Sequence, residues 1–235
     1  MVVYIPLITL SGFFMLKYTK VTKDNIAEAI DIQQQIFHEH MPLELLESIS
    51  HEKLGLYPWS EFYLVSKDDI YIGLTGLYGY NQYPDDVFMD WYGVLPQFRR
   101  HGYGKEILFK TIKMAKEKKF RTFRLYTEVG DNDAAIALYR KIKMHEEPYT
   151  LEIGVKNMVM FSYPLTDKPL EEWKNRYIGI WSAYMLYADN LWDLVKTNYL
   201  ASVYACILYP KLLPQLVKNK KTKLKERLRE QLKHR

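Results

Sequence analysis

The segment V-L-P-Q-F-R-R-H-G-Y-G-K, residues 94–105, constrains the fold more than any other stretch of the chain. A strand-like run, Val87–Leu95, stops at Pro96, crosses a basic cluster, and at Gly102 enters a stretch whose Ile107, Leu108, Ile112 and Ala115 recur at helical spacing. A strand that feeds a helix through a short loop packs that helix on the sheet it leaves, which predicts an α/β chain. The first-turn amides of such a helix, at Gly102, Tyr103, Gly104 and Lys105, lack intrahelical acceptors and lie at the positive end of the dipole. Gly at 102 and 104 removes side chains that would keep an anion off the backbone, while Arg99, Arg100, His101 and Lys105 add positive charge or donors. The loop reads as a phosphate or pyrophosphate cradle, against the plainer reading of a glycine turn with a solvated basic cluster. Two commoner phosphate loops do not fit: the dinucleotide fingerprint needs Gly where Ile107 stands, and the P-loop needs Ser or Thr where Glu106 stands.

The remaining elements follow a regular order. Leu16–Val21 alternates as a strand, and Thr22-Lys23-Asp24 signals a cap before an amphipathic helix ending near Phe37. A looser helical stretch spans 41–58, closed by Tyr57-Pro58. Residues 61–67 and 70–80 read as a hairpin around Lys67-Asp68-Asp69, and the turn at 83–86 leads into strand 87–95. Beyond the helix at 103–118 come a strand at 120–128, a helix at 131–143 and strands near 145–152 and 157–164. The expectation is a mixed α/β domain, β-α-α-β-β-β-α-β-α-β-β, on one predominantly antiparallel sheet.

Within this order, Arg99-x-x-Gly102-x-Gly104, preceded by Val94-x-Pro96, resembles the acyl-CoA pyrophosphate motif of the GNAT superfamily of N-acetyltransferases. Asn132-x-x-Ala135-Ile136-x-Leu138-Tyr139-Arg140-Lys141 is similar to the second signature of that family, which flanks the pantetheine arm. The resemblance covers Met15 to about Leu165, with one departure: Lys143-Met144 stands where the family run closes with Gly-Phe. It implies an acyl-CoA N-acyltransferase fold and acetyl-CoA as co-substrate. It also implies cofactor contacts from Val94, Leu95, Pro96, Arg99, Arg100, His101, Gly102, Tyr103, Gly104, Lys105, Asn132 and Ala135. Strand 87–95 would splay from strand 120–128, and pantetheine would pair with the freed backbone around Val94 and Leu95.

Tyr139 matches the family tyrosine that protonates the departing thiolate; a packed aromatic is its structural alternative. A phenol with a pKa of ~10 is a reasonable acid toward a thiolate of ~8.5. Asn132 either bonds the cofactor arm or caps its helix, and the two roles are compatible. Asp90 is the candidate general base, on a face shared under plain alternation with Phe88, Tyr92 and Val94; an Asp paired at a sheet edge is the competing reading. Glu128, His38 and His40 are weaker candidates, and no metal site is expected. The implied reaction is direct acetyl transfer from acetyl-CoA to a primary amine in a ternary complex. The alternative is a non-catalytic CoA-binding module working through its C-terminal helices.

Composition matters chiefly at the two ends. Residues 1–14 are apolar without the features of a secretory signal, and read as an upstream extension ahead of Met15, with an interfacial anchor as the rival. Residues 166–235 form an aromatic-rich helical extension with a basic tail, and a second copy of the chain is one partner for its helices. Residues 211–235 carry a net charge of +8, whereas the first 210 sum to −3. The tail 216–235 therefore reads as a contact for an anionic surface, lipid or nucleic acid, rather than as part of the site. A single cysteine, Cys206, excludes an internal disulfide. The absence of a signal or a spanning run predicts a cytoplasmic enzyme.

Overall fold

The computed structural model of the chain describes residues 16–38, 42–130, 132–149, 157–173, 192 and 195–214. Among these, strands β1 (Lys17–Lys20), β2 (Ser60–Lys67), β3 (Ile70–Tyr78), β4 (Asp86–Val94), β5 (Thr122–Glu128), β6 (His145–Pro148) and β7 (Met158–Pro164) form one sheet, ordered β1-β2-β3-β4-β5-β7-β6. Its single parallel pair is β4 with β5, and every other neighbour is antiparallel. Helices α1 (Ile26–Ile36) and α2 (Pro42–Lys53) cover one face, where Ile32, Ile36 and Leu45 pack on Phe62, Leu64, Leu74 and Leu95. Helices α3 (Tyr103–Glu117) and α4 (Asp133–Lys141) cover the other, where Leu108, Ile112, Ile136 and Tyr139 meet Val87, Met89, Phe123 and Phe161. The element order predicted for the domain and the mixed sheet are both present. A last helix, α5 (Ala201–Leu208), packs on α2.

Local departures have local causes. Helix α1 begins at Ile26, as expected, but its N-cap is Asn25, whose side chain accepts the Thr22 amide (2.7 Å) and donates to the Lys20 carbonyl (3.0 Å). Those bonds build a turn ahead of the helix. Helix α2 stops at Lys53, short of Tyr57-Pro58, because the Leu56 and Tyr57 amides both turn back to the His51 carbonyl (2.9 and 3.2 Å). Asp68 and Asp69, at φ 49° and 60°, make the two-residue mirror-image turn whose twist suits a hairpin.

Residues 170–173 are not helical. Trp173 stacks on Tyr83 (4.6 Å between ring centroids) and lies edge-on to Phe88 (5.7 Å), while its amide donates to Glu147 (2.5 Å). Buried Arg124 holds this region together, donating to Asp86 (2.8 Å), Glu147 (3.1 Å) and the Glu171 carbonyl (2.9 Å). The aromatics at 177, 181 and 184, expected to continue a helical spacing from Trp173, the extension 1–14 and the tail 216–235 lie outside the described residues.

Candidate active site

Strands β4 and β5 pair only at Asp86–Thr122, Val87–Phe123 and Phe88–Arg124. Beyond Phe88 they part, and a wedge opens in the middle of the sheet between β4 residues 89–94 and β5 residues 125–128. The parting coincides with a bulge: Gly76 lies opposite Asp90, but Leu74 lies opposite Gly93, so β4 carries an extra residue at Trp91–Tyr92. Trp91 sits at φ 50°, a conformation that costs a bulky side chain about 1–3 kcal/mol and persists only where its surroundings hold it. Here the Asp90 carboxylate accepts the Trp91 amide (2.8 Å), the indole Nε1 donates to Ser48 of α2 (3.1 Å), and Phe37 meets the indole edge-on (5.4 Å).

The bulge corrects the expected alternation. Val87 and Met89 face α3 and α4 before it, and Tyr92 and Val94 do so after it. Asp90 is thus on the Phe88 face, opposite to Tyr92 and Val94. The reason is one-residue arithmetic in a period-two structure.

Past the bulge, the Leu95 amide donates to Ile72 of β3 (2.9 Å) and is already engaged. Alternation then turns the N–H and C=O of Val94 away from β3, toward the wedge. The Arg99 Nε donates to that Val94 carbonyl (3.0 Å), so the side chain folds the loop back on the strand end. Pro96 opens a short 3-10 turn (Pro96–Phe98), Arg100 sits at φ 64°, and the His101 ring lies 2.8 Å from the Arg99 carbonyl. Gly102 caps α3 at φ 86°, and a Cβ placed there meets nothing within 4 Å. At the start of α3, Gly102 and Lys105 are exposed and Tyr103 is buried. Lys105 turns along the helix, its ammonium 5.6 Å from the Phe109 ring.

Gly104 has a different duty: a Cβ there would come 3.1 Å from the Tyr92 hydroxyl, which donates to the Gly104 carbonyl (2.7 Å). Tyr92 in turn lies 6.3 Å from the buried ring of Tyr139 in α4, which packs on Phe161 at 5.2 Å. Burial pushes the Tyr139 phenol well above its ordinary pKa, and the Tyr92 phenol adds to the shift. Tyr92 is raised by burial as well. Asn132 occupies the N-cap position of α4 but makes no side-chain capping bond, and half-buried Ala135 donates its amide to the Asn132 carbonyl (2.9 Å). Glu128 and His38 are exposed, and His40 lies outside the described residues.

Two contacts at the site carry no signal in the sequence. Tyr92 shares the Val94 face as expected, but nothing local shows that its hydroxyl reaches the Gly104 carbonyl. Lys67, in the β2–β3 turn, donates to the Tyr103 hydroxyl (2.9 Å) and brings a cation to the start of α3 from 36 residues away. No local pattern carries that contact.

A family model for the acetyltransferase (GNAT) family matches residues 26–144, just over half of the chain and all of the elements that build the wedge. The chain belongs to the GNAT family. It is thereby an acyltransferase, and the two sequence signatures lie on the strand–helix and helix segments expected of them. No curated protein matches it by sequence. Among solved structures, a putative GNAT acetyltransferase from Desulfovibrio desulfuricans is similar at 11% identity and a TM-score of 0.54, over 64% of this chain and 99% of that one. Spermidine N-acetyltransferase from Vibrio cholerae, solved with CoA and spermine, is similar at 13% identity and 0.51, over 64% and 95%. The ribosomal-protein-S18-alanine N-acetyltransferase from Escherichia coli is similar at 14% and 0.50, over 68% and 100%. At such identities these likenesses speak for the GNAT fold.

Proposed function

We propose that this GNAT chain moves an acetyl group from acetyl-CoA directly to a primary amine, with both substrates bound together. The observation that carries the reading is the wedge: the backbone of Val94 is turned into the opening where β4 leaves β5, and α3, with exposed Gly102 at its N-cap, begins a short loop beyond it. An extended amide-bearing arm can pair with the strand as an added strand would, while a pyrophosphate meets the amides of residues 102–105. The open space before Gly102, together with the Val94 backbone turned into the opening, makes the residues present a fit for acyl-CoA. Acetyl-CoA supplies the activated acyl group as a thioester.

On this reading the amine nitrogen attacks the thioester carbonyl, the C–S bond breaks, the nitrogen loses a proton and the sulfur gains one. Tyr139 is the proton donor to sulfur. Its raised pKa keeps it protonated at neutral pH, and the burial that raises the phenol also raises the proton affinity of a thiolate beside it, which limits the mismatch between the two. Asp90 is the candidate base, although it also holds the bulge.

Two substitutions separate these duties. Asp90→Asn keeps an oxygen to accept the Trp91 amide but cannot take a proton. As a base, its loss lowers kcat/KM by about 10²–10⁴-fold with the acid limb of the pH profile abolished. If the carboxylate only holds the bulge, Asp90→Asn stays active while Asp90→Ala loses stability. Tyr139→Phe tests the whole reading: turnover falls by about 10²–10⁴-fold while calorimetric affinity for acetyl-CoA is kept. Binding of CoA with no acetylation of any amine in a panel of polyamines, peptide N-termini and lysines would establish the non-catalytic alternative instead.

A further inference from the structure

Helix α5 and the turns preceding it show two faces of opposite duty. Ala201, Ser202 and Ala205 are buried, with Ala205 against Ile26, Ile30 and Leu46, and the Ser202 hydroxyl donates to Glu47 of α2. On the far side Trp192, Tyr199, Val203 and Ile207 are 58%, 60%, 51% and 68% exposed. Tyr199 lies in a π-helical turn, Lys196–Leu200, that runs straight into α5, and spacings of four and four residues put Tyr199, Val203 and Ile207 on one side of that helix, with Trp192 upstream of it. Leu213, 54% exposed, follows just beyond Pro210. This apolar stripe belongs to neither the wedge nor the α3 cradle. It leads directly into residues 211–235, which hold ten Lys or Arg against two Glu.

We propose that this face of α5, with the basic tail that follows it, docks the enzyme on an anionic lipid surface. The two parts supply the two signals that stable peripheral binding needs: apolar side chains entering the headgroup boundary, and cations drawn to acidic headgroups. The side chains have the right chemistry, since Trp and Tyr seat themselves at the lipid–water interface while Val and Ile enter further. A nucleic acid would use the tail but would leave the stripe in water, so lipid accounts for both features. Among the described residues no helix is long and apolar enough to cross a membrane, which makes the contact one that lies on the surface. The stripe residues are exposed while Ala201, Ser202 and Ala205 of the same helix are buried toward α2.

The test is sedimentation of the full chain with vesicles of phosphatidylcholine alone and with about one third phosphatidylserine. Binding is expected to the acidic vesicles only, to weaken as salt is raised, and to fall by about tenfold or more in Val203→Asp/Ile207→Asp. Both positions are exposed, and an unchanged circular dichroism spectrum and melting midpoint show that the variant is folded. Binding that the double variant retains in full would overturn the proposal, as would failure of the intact chain to bind acidic vesicles. A concentration-dependent dimer abolished by the same substitutions, without vesicle binding, would instead make the stripe a contact between two copies. Binding to a short RNA or DNA duplex but not to vesicles would assign the tail to nucleic acid and likewise overturn it.

Discussion

A Cβ on Gly102 meets open space, yet the residue sits at φ 86°; a Cβ on Gly104 meets the Tyr92 hydroxyl at 3.1 Å. The first glycine answers to backbone conformation and the second to a neighbour. Gly102→Ala is accordingly expected to cost about 1 kcal/mol in urea unfolding, and Gly102→Asn less, because Asn tolerates the left-handed region better. Gly104→Ala instead displaces the Tyr92 hydroxyl, and its expected signature is a raised KM for acetyl-CoA. His51 offers a pH test. Burial pushes its pKa down to about 4 from an ordinary 6.5, so between those values the unfolded chain binds a proton that the folded chain does not. Stability therefore falls as pH drops through that window, by about 3 kcal/mol at its lower end. His51→Phe, which keeps an aromatic ring edge-on to Tyr57, flattens this dependence when unfolding midpoints at pH 7 and 4.5 are compared.

At the scale of elements, helices α1, α3 and α4 were legible because each carries an apolar stripe that needs no knowledge of its partner. The Lys67–Ile70 hairpin was legible too, since two consecutive Asp residues tolerate a positive φ. Strand β4 was legible as a strand, and Gly93 inside it is a mark of a bulge or a close backbone approach, but the place of the extra residue was not legible. The extra residue at Trp91 is held by Ser48 and Phe37, which are more than 40 residues away in sequence. The missing side chain of Gly93 makes room for α1, where a Cβ would lie 2.3 Å from Ile36 and 3.1 Å from Phe37. Gly93→Val is expected to push α1 off β4, costing about 1–3 kcal/mol in thermal unfolding and loosening the wedge enough to raise KM.

Across the whole molecule, the chain following β7 contributes to the domain's packing at Trp173 and again at α5, whose Ala205 is buried against Ile26, Ile30 and Leu46. Arg124 is buried between Asp86 and Glu147 and also holds the Glu171 carbonyl, while its guanidinium lies 5.2 Å from the Trp173 ring. Arg124→Met leaves two buried carboxylates without their cation, and about 3–5 kcal/mol of stability should be lost. A chain ending at residue 165 loses Trp173 and the Glu171 carbonyl together, and its melting midpoint should lie well below that of a chain ending at 173. The sequence placed the boundary at 165 because the strand pattern ends there. An isolated tryptophan seated in a tertiary slot has no periodicity to announce it.

The sequence by itself determined the order of elements, the faces of the helices and the motif-bearing loop at 94–105, because each depends on periodicity or on turn chemistry within a few residues. Tertiary structure alone decided which face Asp90 occupies, where β4 leaves β5, why Gly104 must lack a side chain, and that Lys67 reaches the start of α3. Those four depend on contacts between distant segments. Their energies arise only once both partners are in place, so neither segment carries the sign of them alone.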